Sequence, residues 1–66
     1  MKRKKFSEIT YACGGVAAIA KHFSITEWAV RKWERGIPAE RCHELVALSA
    51  GRLSLTDLRP DLWPST

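Results

Sequence analysis

Apolar side chains recur along the chain with the period of a helix, and glycine and proline punctuate them at Gly14-Gly15, Gly36, Pro38, Gly51, Pro60 and Pro64. Phe6, Ile9 and Cys13 share one side of a first helix of about two turns, which Ser7 can cap and the glycine pair should end. Val16, Ile19, Ala20 and Phe23 stand at i, i+3, i+4 and i+7, the inward stripe of a second helix over 16–23. After a turn at 24–25, Thr26 is placed to cap the free amides of a third helix over 26–35, with Glu27 at the positive end of its dipole. Gly36 is expected to close it as a left-handed cap. Pro38 opens a fourth helix, because its missing N–H costs nothing at the first helical position; Cys42, Leu45, Val46 and Ser49 form the buried stripe and Gly51 ends it. Ser54 caps a last turn that Pro60 stops. With Leu53, Leu55, Leu58, Leu62 and Trp63 this tail is too apolar to be free in water. It folds back over the helices, buries itself against a second subunit, or pairs as a short strand across a dimer. The pattern is that of an all-α chain, with one domain over 6–66 behind a basic arm at 1–5.

The third helix has two incompatible faces. At about 100° per residue, Trp28 and Trp33 project roughly 140° apart, so they cannot both face one core. Ala29, Val30 and Trp33 cluster inward, while Trp28, Arg31, Lys32 and Arg35 fall within an outer arc of roughly 100°. Trp33 is therefore a core residue and Trp28 an outer one. There it either shields the stems of its basic neighbours in a cation–π cluster or forms a contact surface. Two short helices joined by the turn Phe23-Ser24-Ile25, the second with a basic outer face, meet the requirements of a helix-turn-helix. Ala20 supplies the small residue at the crossing, and Ile25, Val30 and Trp33 fill the space beneath.

Charge and composition narrow the partner. The 66 residues carry eleven Lys and Arg against seven Asp and Glu, a net +4 that suits a polyanion, with nucleic acid the first candidate. So short a chain buries only about 60% of its unfolded surface, and a partner subunit would add stability. Cys13 and Cys42 read as reduced core residues, and with His22 and His43 they do not reproduce the ligand spacing of a zinc module, so neither metal nor cofactor is expected. MKRKK followed by ITYACGGVAAIA has the outline of a secretory leader, but Glu8 interrupts it and two glycines weaken it. No run approaches the roughly eighteen apolar residues of a membrane span, and a cytoplasmic protein is expected. Ser24, His22 and the carboxylates lack a glycine-rich cradle, a paired-carboxylate cleft or a nucleophile motif, so neither catalysis nor a small-molecule substrate is expected.

From Gly15 to about Trp63 the chain resembles the small Cro-like repressors of phages and prophages, and among them the YdaS-type prophage regulators. GGVAAIAKHFSITEWAVRKWERG carries the helix-turn-helix likeness, and IPAERCHEL with LRPDLWP carries the YdaS likeness. The resemblance implies a five-helix helix-turn-helix domain of the Cro/lambda-repressor-like type. It also implies sequence-specific binding to a double-stranded operator, with repression or switching of phage genes. A weak dimer, or one formed on DNA, would read half-sites about one helical turn apart. Base-contacting positions then fall on Glu27, Trp28, Arg31 and Lys32, with Thr26 and Arg35 at the margins. Ser24 departs from the glycine usual in the turn, at a cost on the order of 1 kcal/mol. The base-reading positions commonly carry Gln, Ser or Asn, so the operator does not transfer from a relative.

Chemistry assigns the individual roles. Arg31 presents a planar fork suited to guanine O6 and N7, with a phosphate contact as its alternative. Lys32 and Arg35 lie further along, where phosphate is nearer than a base edge. Glu27 either accepts from a cytosine amino group or caps the helix and repels wrong sequences. Trp28 lies against a thymine methyl or sugar edge, or else mediates protein contacts. Lys2, Arg3, Lys4 and Lys5 form an arm that tracks phosphate or enters a minor groove, or a solvated tail. Lys21 and the amides beginning at Gly15 are suited to anchoring phosphate. Arg52 and Arg59 could do likewise, unless Arg59 pairs with Asp57 or Asp61 as a brace. The rival reading is a protein-interaction module, such as an antitoxin or adaptor in a prophage toxin–antitoxin system, docking a partner through Trp28 and the C-terminal leucines.

Overall fold

The computed structural model describes residues 3–64, which form α1 (Phe6–Ala12), α2 (Val16–Phe23), α3 (Glu27–Arg31), a 3-10 turn (Lys32–Arg35), α4 (Ala39–Leu48) and α5 (Leu55–Leu58). No strand occurs among the described residues. The all-α, five-helix expectation is met, and α2 has the bounds read from its apolar stripe.

Three of the helices stop by one device. After α1 the N–H of Gly14 donates to the Tyr11 carbonyl at 3.1 Å and that of Gly15 to the Thr10 carbonyl at 2.7 Å. After α2, Ser24 donates to Lys21 at 3.2 Å and Ile25 to Ala20 at 2.9 Å; after α4, Ala50 donates to Ala47 at 3.0 Å and Gly51 to Val46 at 3.4 Å. Each is the paired bonding of a Schellman cap, which satisfies two carbonyls that the helix itself leaves open. Such a cap needs a left-handed residue, and φ is 96° at Gly14, 58° at Ser24 and 56° at Ala50. Serine and alanine thus occupy positions where a Cβ is unfavourable. Gly51, expected as the stop of α4, donates the closing bond of its cap and is itself left-handed (φ 84°), one residue beyond Ala50. Gly36 is extended (φ 169°), not a left-handed cap.

Two other termini differ from expectation. Ser7 lies inside α1 and Lys5 occupies the cap position without a side-chain bond. Pro38 sits one residue before α4, with φ −58° and ψ 136°, instead of within its first turn. Ser54 does cap α5: its hydroxyl accepts from the Asp57 amide while the Asp57 carboxylate accepts from the Ser54 amide.

The core lies where the helices converge and consists of Ile9, Ile19, Val30, Ile37, Cys42, Leu45, Leu53 and Leu58, with Cys13 and Ala20. Burial alone pushes the Cys13 thiol upward, and burial is also the leading cause at Cys42. Trp33 is half-buried, not enclosed, and meets Phe23 edge to face at 5.6 Å. The guanidinium of Arg41 covers Phe23 at 4.9 Å from its centroid.

The tail folds home, so the strand alternative is set aside. Arg59 holds it there, donating to both carboxylate oxygens of Asp61 (2.9 and 2.7 Å) and to the Ile37 carbonyl (2.7 Å). Of the two readings of Arg59, the brace is the one observed, with Asp61 as its partner. The N-terminal end is tied down as well: Arg3 donates to the Trp33 carbonyl at 3.1 Å and the Lys4 amide to the Asp57 carbonyl at 3.0 Å.

Candidate nucleic-acid interface

The turn between α2 and α3 sets the site. Ile25, half-buried, follows the left-handed Ser24, and Thr26 is already extended (φ −77°, ψ 156°). The Thr26 hydroxyl accepts from the Ala29 amide at 3.1 Å, which satisfies one open donor of α3 and fixes the direction in which that helix leaves the turn. Val30 is fully buried and Ala29 partly so. That phase turns Glu27, Trp28, Arg31 and Lys32 outward, and all four are exposed. Trp28 is 67% accessible, among the most exposed large apolar side chains of the molecule.

These four are not independent in the free chain. The Arg31 guanidinium donates to the Glu27 carboxylate at 3.3 Å across one helical turn. The Lys32 ammonium lies 3.7 Å from the centroid of the Trp28 ring, a cation–π contact. The outer face is thus pre-ordered into two pairs, each joining a residue of the first turn to one of the next.

Past Arg31 the helix tightens. The segment expected as one α-helix over 26–35 is α-helical to Arg31 and 3-10 from Lys32 to Arg35. Ile37 is fully buried just beyond, so the chain has to turn inward quickly, and i→i+3 bonding shortens the last turn. In 3-10 geometry i and i+3 eclipse, which aligns the exposed Lys32 and Arg35 along one edge.

The remaining predicted residues are distributed unevenly. Lys21 is exposed on α2. The Gly15 amide is already committed to the Thr10 carbonyl, so the open donors at the head of α2 begin at Val16. Lys5 is exposed, whereas Arg3 and Lys4 are partly buried against the body and do not form a free arm. Arg3 also lies over the Phe6 ring at 5.6 Å, and Lys4 approaches Asp57 at 3.9 Å. Lys2 lies outside the described residues.

Glu34 had no role in the sequence reading. It shares a groove of about 650 Å³ with Arg3, Lys5, Phe6, Thr10 and Arg31, an acid on an otherwise cationic wall. The i+3 spacing from Arg31 was the available signal.

Comparison of the sequence with known proteins gives the chain a family. The family model described as "Bacterial toxin YdaS" matches residues 6–66. The chain belongs to the YdaS family. It is 32% identical over 68 residues to the Escherichia coli (strain K12) protein named "Putative transcriptional regulator YdaS", across 94% of this chain and 68% of that protein. No solved structure matches. The matched span takes in α1 through the Arg59–Asp61 brace, so the YdaS likeness covers the fold as well as the helix-turn-helix. No helix of the described residues is long and apolar enough to cross a membrane.

Proposed function

We propose that this YdaS-family chain is a sequence-specific DNA-binding transcriptional regulator, a Cro-like repressor of phage or prophage genes, that inserts α3 into the major groove of a double-stranded operator. The outward, pre-ordered face of α3 carries the reading, since base edges in the major groove are addressed by the first residues of such a helix. Arg31 donates its fork to guanine, and Glu27 accepts from a neighbouring cytosine amino group once its bond to Arg31 is exchanged for base contacts. Trp28 lies along a thymine methyl. Lys32 stands between base and backbone. Lys21, Arg35, Thr26, Lys5 and the open amides after Gly15 hold phosphate, with Lys2, Arg3 and Lys4 beside them. The chain acts in the bacterial cytoplasm, without catalysis, and reads two half-sites as a dimer. The transcriptional-regulator name of the E. coli relative supports this reading. The toxin wording of the family is compatible with it, because a DNA binder in excess occupies promoters it should leave open.

A second reading, a protein-interaction module such as an antitoxin or adaptor, is favoured by the exposure of Trp28 and by Leu62 at 45%. One experiment separates them. Fluorescence titration against the DNA flanking the chain's own gene and against random duplex should show a preference of about 10³-fold or more for the former at moderate salt. Arg31→Ala with Lys32→Ala should abolish that preference while leaving the melting curve unchanged. Equal affinity for both duplexes defeats the regulator and leaves the adaptor.

A further inference from the structure

One flank of α1 carries a second groove, of about 490 Å³, lined by Ala12 and Leu53 with Tyr11, Lys4, Glu8 and Arg52. Tyr11 is 82% exposed, the most accessible large apolar side chain of the described residues. Neither α3 nor the core explains it. An aromatic ring of this kind is expensive to leave in water, and tyrosine is among the residues that most often anchor interfaces.

The charges on the rim identify the occupant. Glu8 and Arg52 line the same groove, both exposed, and neither has an ion-pair partner among the described residues. With Glu8 on one side and Lys4 and Arg52 beside it, a uniformly acidic or basic partner would meet a like charge at one side of the groove. A surface with both signs beside a protruding apolar ring complements itself under a two-fold rotation, as an isologous contact demands. We propose that this groove is the homodimer interface: Tyr11 of each copy packs beside the other over Ala12 and Leu53, and Glu8 of each faces Arg52 of its partner.

The placement suits the function proposed above, on which only its DNA consequence rests. Arg31 and Glu34 line the neighbouring groove, which meets this one at Ser7, and no residue of α3 lines the Tyr11 groove, so pairing there leaves α3 uncovered. The domain measures 34 × 23 × 20 Å, and two such bodies side by side can span the roughly 34 Å between successive major-groove faces.

Sedimentation equilibrium of the full chain without DNA tests it, at concentrations up to about 1 mM, the range in which weak association is still measurable. The wild type should self-associate, and Tyr11→Ala should weaken this at least about tenfold, the effect of losing one interface anchor. Glu8→Arg and Arg52→Glu should each weaken it, and the two together should restore it to within a few-fold of wild type. Tyr11 and both charges are exposed, so unchanged melting curves will show that the variants fold. A wild type that stays monomeric throughout, or a double reversal no better than the single ones, overturns the proposal. On DNA, Tyr11→Ala should bind a single half-site like wild type but lose cooperativity between two half-sites. Failure of every form to bind DNA would strike the regulator reading and leave the self-association result standing.

Discussion

Trp28 and Trp33, five positions apart on one segment, are separated by helical phase into different roles. Trp28 touches Lys32 and otherwise faces water, while Trp33 supports Phe23 and lends its carbonyl to Arg3. Removing the outer ring forfeits a cation–π contact of about 0.5–1 kcal/mol at most, since the site is exposed. Removing the inner one deletes packing from a half-buried position, so Trp33→Ala should cost roughly 2–4 kcal/mol, at or below the usual range for a fully enclosed ring. Urea denaturation of the two variants checks the order. If Trp28→Ala proves the more destabilising, the assignment of faces is wrong. Operator affinity should run the opposite way, with Trp28→Ala losing it at a cost in stability of no more than about 1 kcal/mol.

At the scale of the elements, the Schellman caps offer a prediction that touches no contact. Ser24 and Ala50 hold left-handed angles that glycine adopts without strain, at a cost for other residues on the order of 1 kcal/mol. Ser24→Gly and Ala50→Gly should each stabilise the domain by up to about 0.5 kcal/mol after the extra chain entropy of glycine is subtracted. Denaturant midpoints of the single and double variants read this directly, and separate sites should add. Gly14→Ala should do the reverse, because φ is 96° there and a Cβ would lie 3.3 Å from that of Ala18. The same elements show what was legible in the sequence. The stripe of α2 and the Thr26 and Ser54 caps were readable, because each rests on side-chain chemistry over one or two turns; the strain at Ser24 was readable only through the family resemblance, whose turn usually carries glycine. The 3-10 segment was not: the four residues Lys32–Arg35 make little more than one turn, too few for a pattern to tell a period of 3.0 from one of 3.6. Ile37, isolated between Gly36 and Pro38, had no periodicity to reveal its burial. Arg3 reads as part of a charged run, and its ties to the body, the Trp33 carbonyl and the Phe6 ring, are tertiary contacts with no signal in the run itself.

For the whole molecule, the chain ends brace the exit of the recognition segment: Arg3 bonds the carbonyl of Trp33 and Arg59 that of Ile37. The Arg59 hydrogen bond holds the Asp61 carboxyl below its ordinary value. A depressed carboxylate pKa contributes stability that is complete above the unfolded value, about 3.9, and is lost as pH falls below it through the folded one. In Asp61→Asn an acid titration followed by circular dichroism should therefore lose part of its steepness below about pH 4, and the stability that the carboxylate supplies to the wild type should be missing at neutrality. Binding draws on the cations this brace leaves over. Lys21, Arg31, Lys32 and Arg35 are exposed along the proposed interface, whereas Arg3 is bonded to Trp33 and Lys4 lies against Asp57. Each phosphate neutralised by a mobile cation releases condensed counterions and steepens the dependence of log affinity on log salt by about 0.9. Lys32→Ala or Arg35→Ala should accordingly lower the slope on random duplex by nearly one. Lys4→Ala should lower it by less, since that ammonium is already partly neutralised within the chain. Equal losses for Lys4 and Lys32 would mean that the N-terminal segment leaves the body and follows the backbone when DNA arrives.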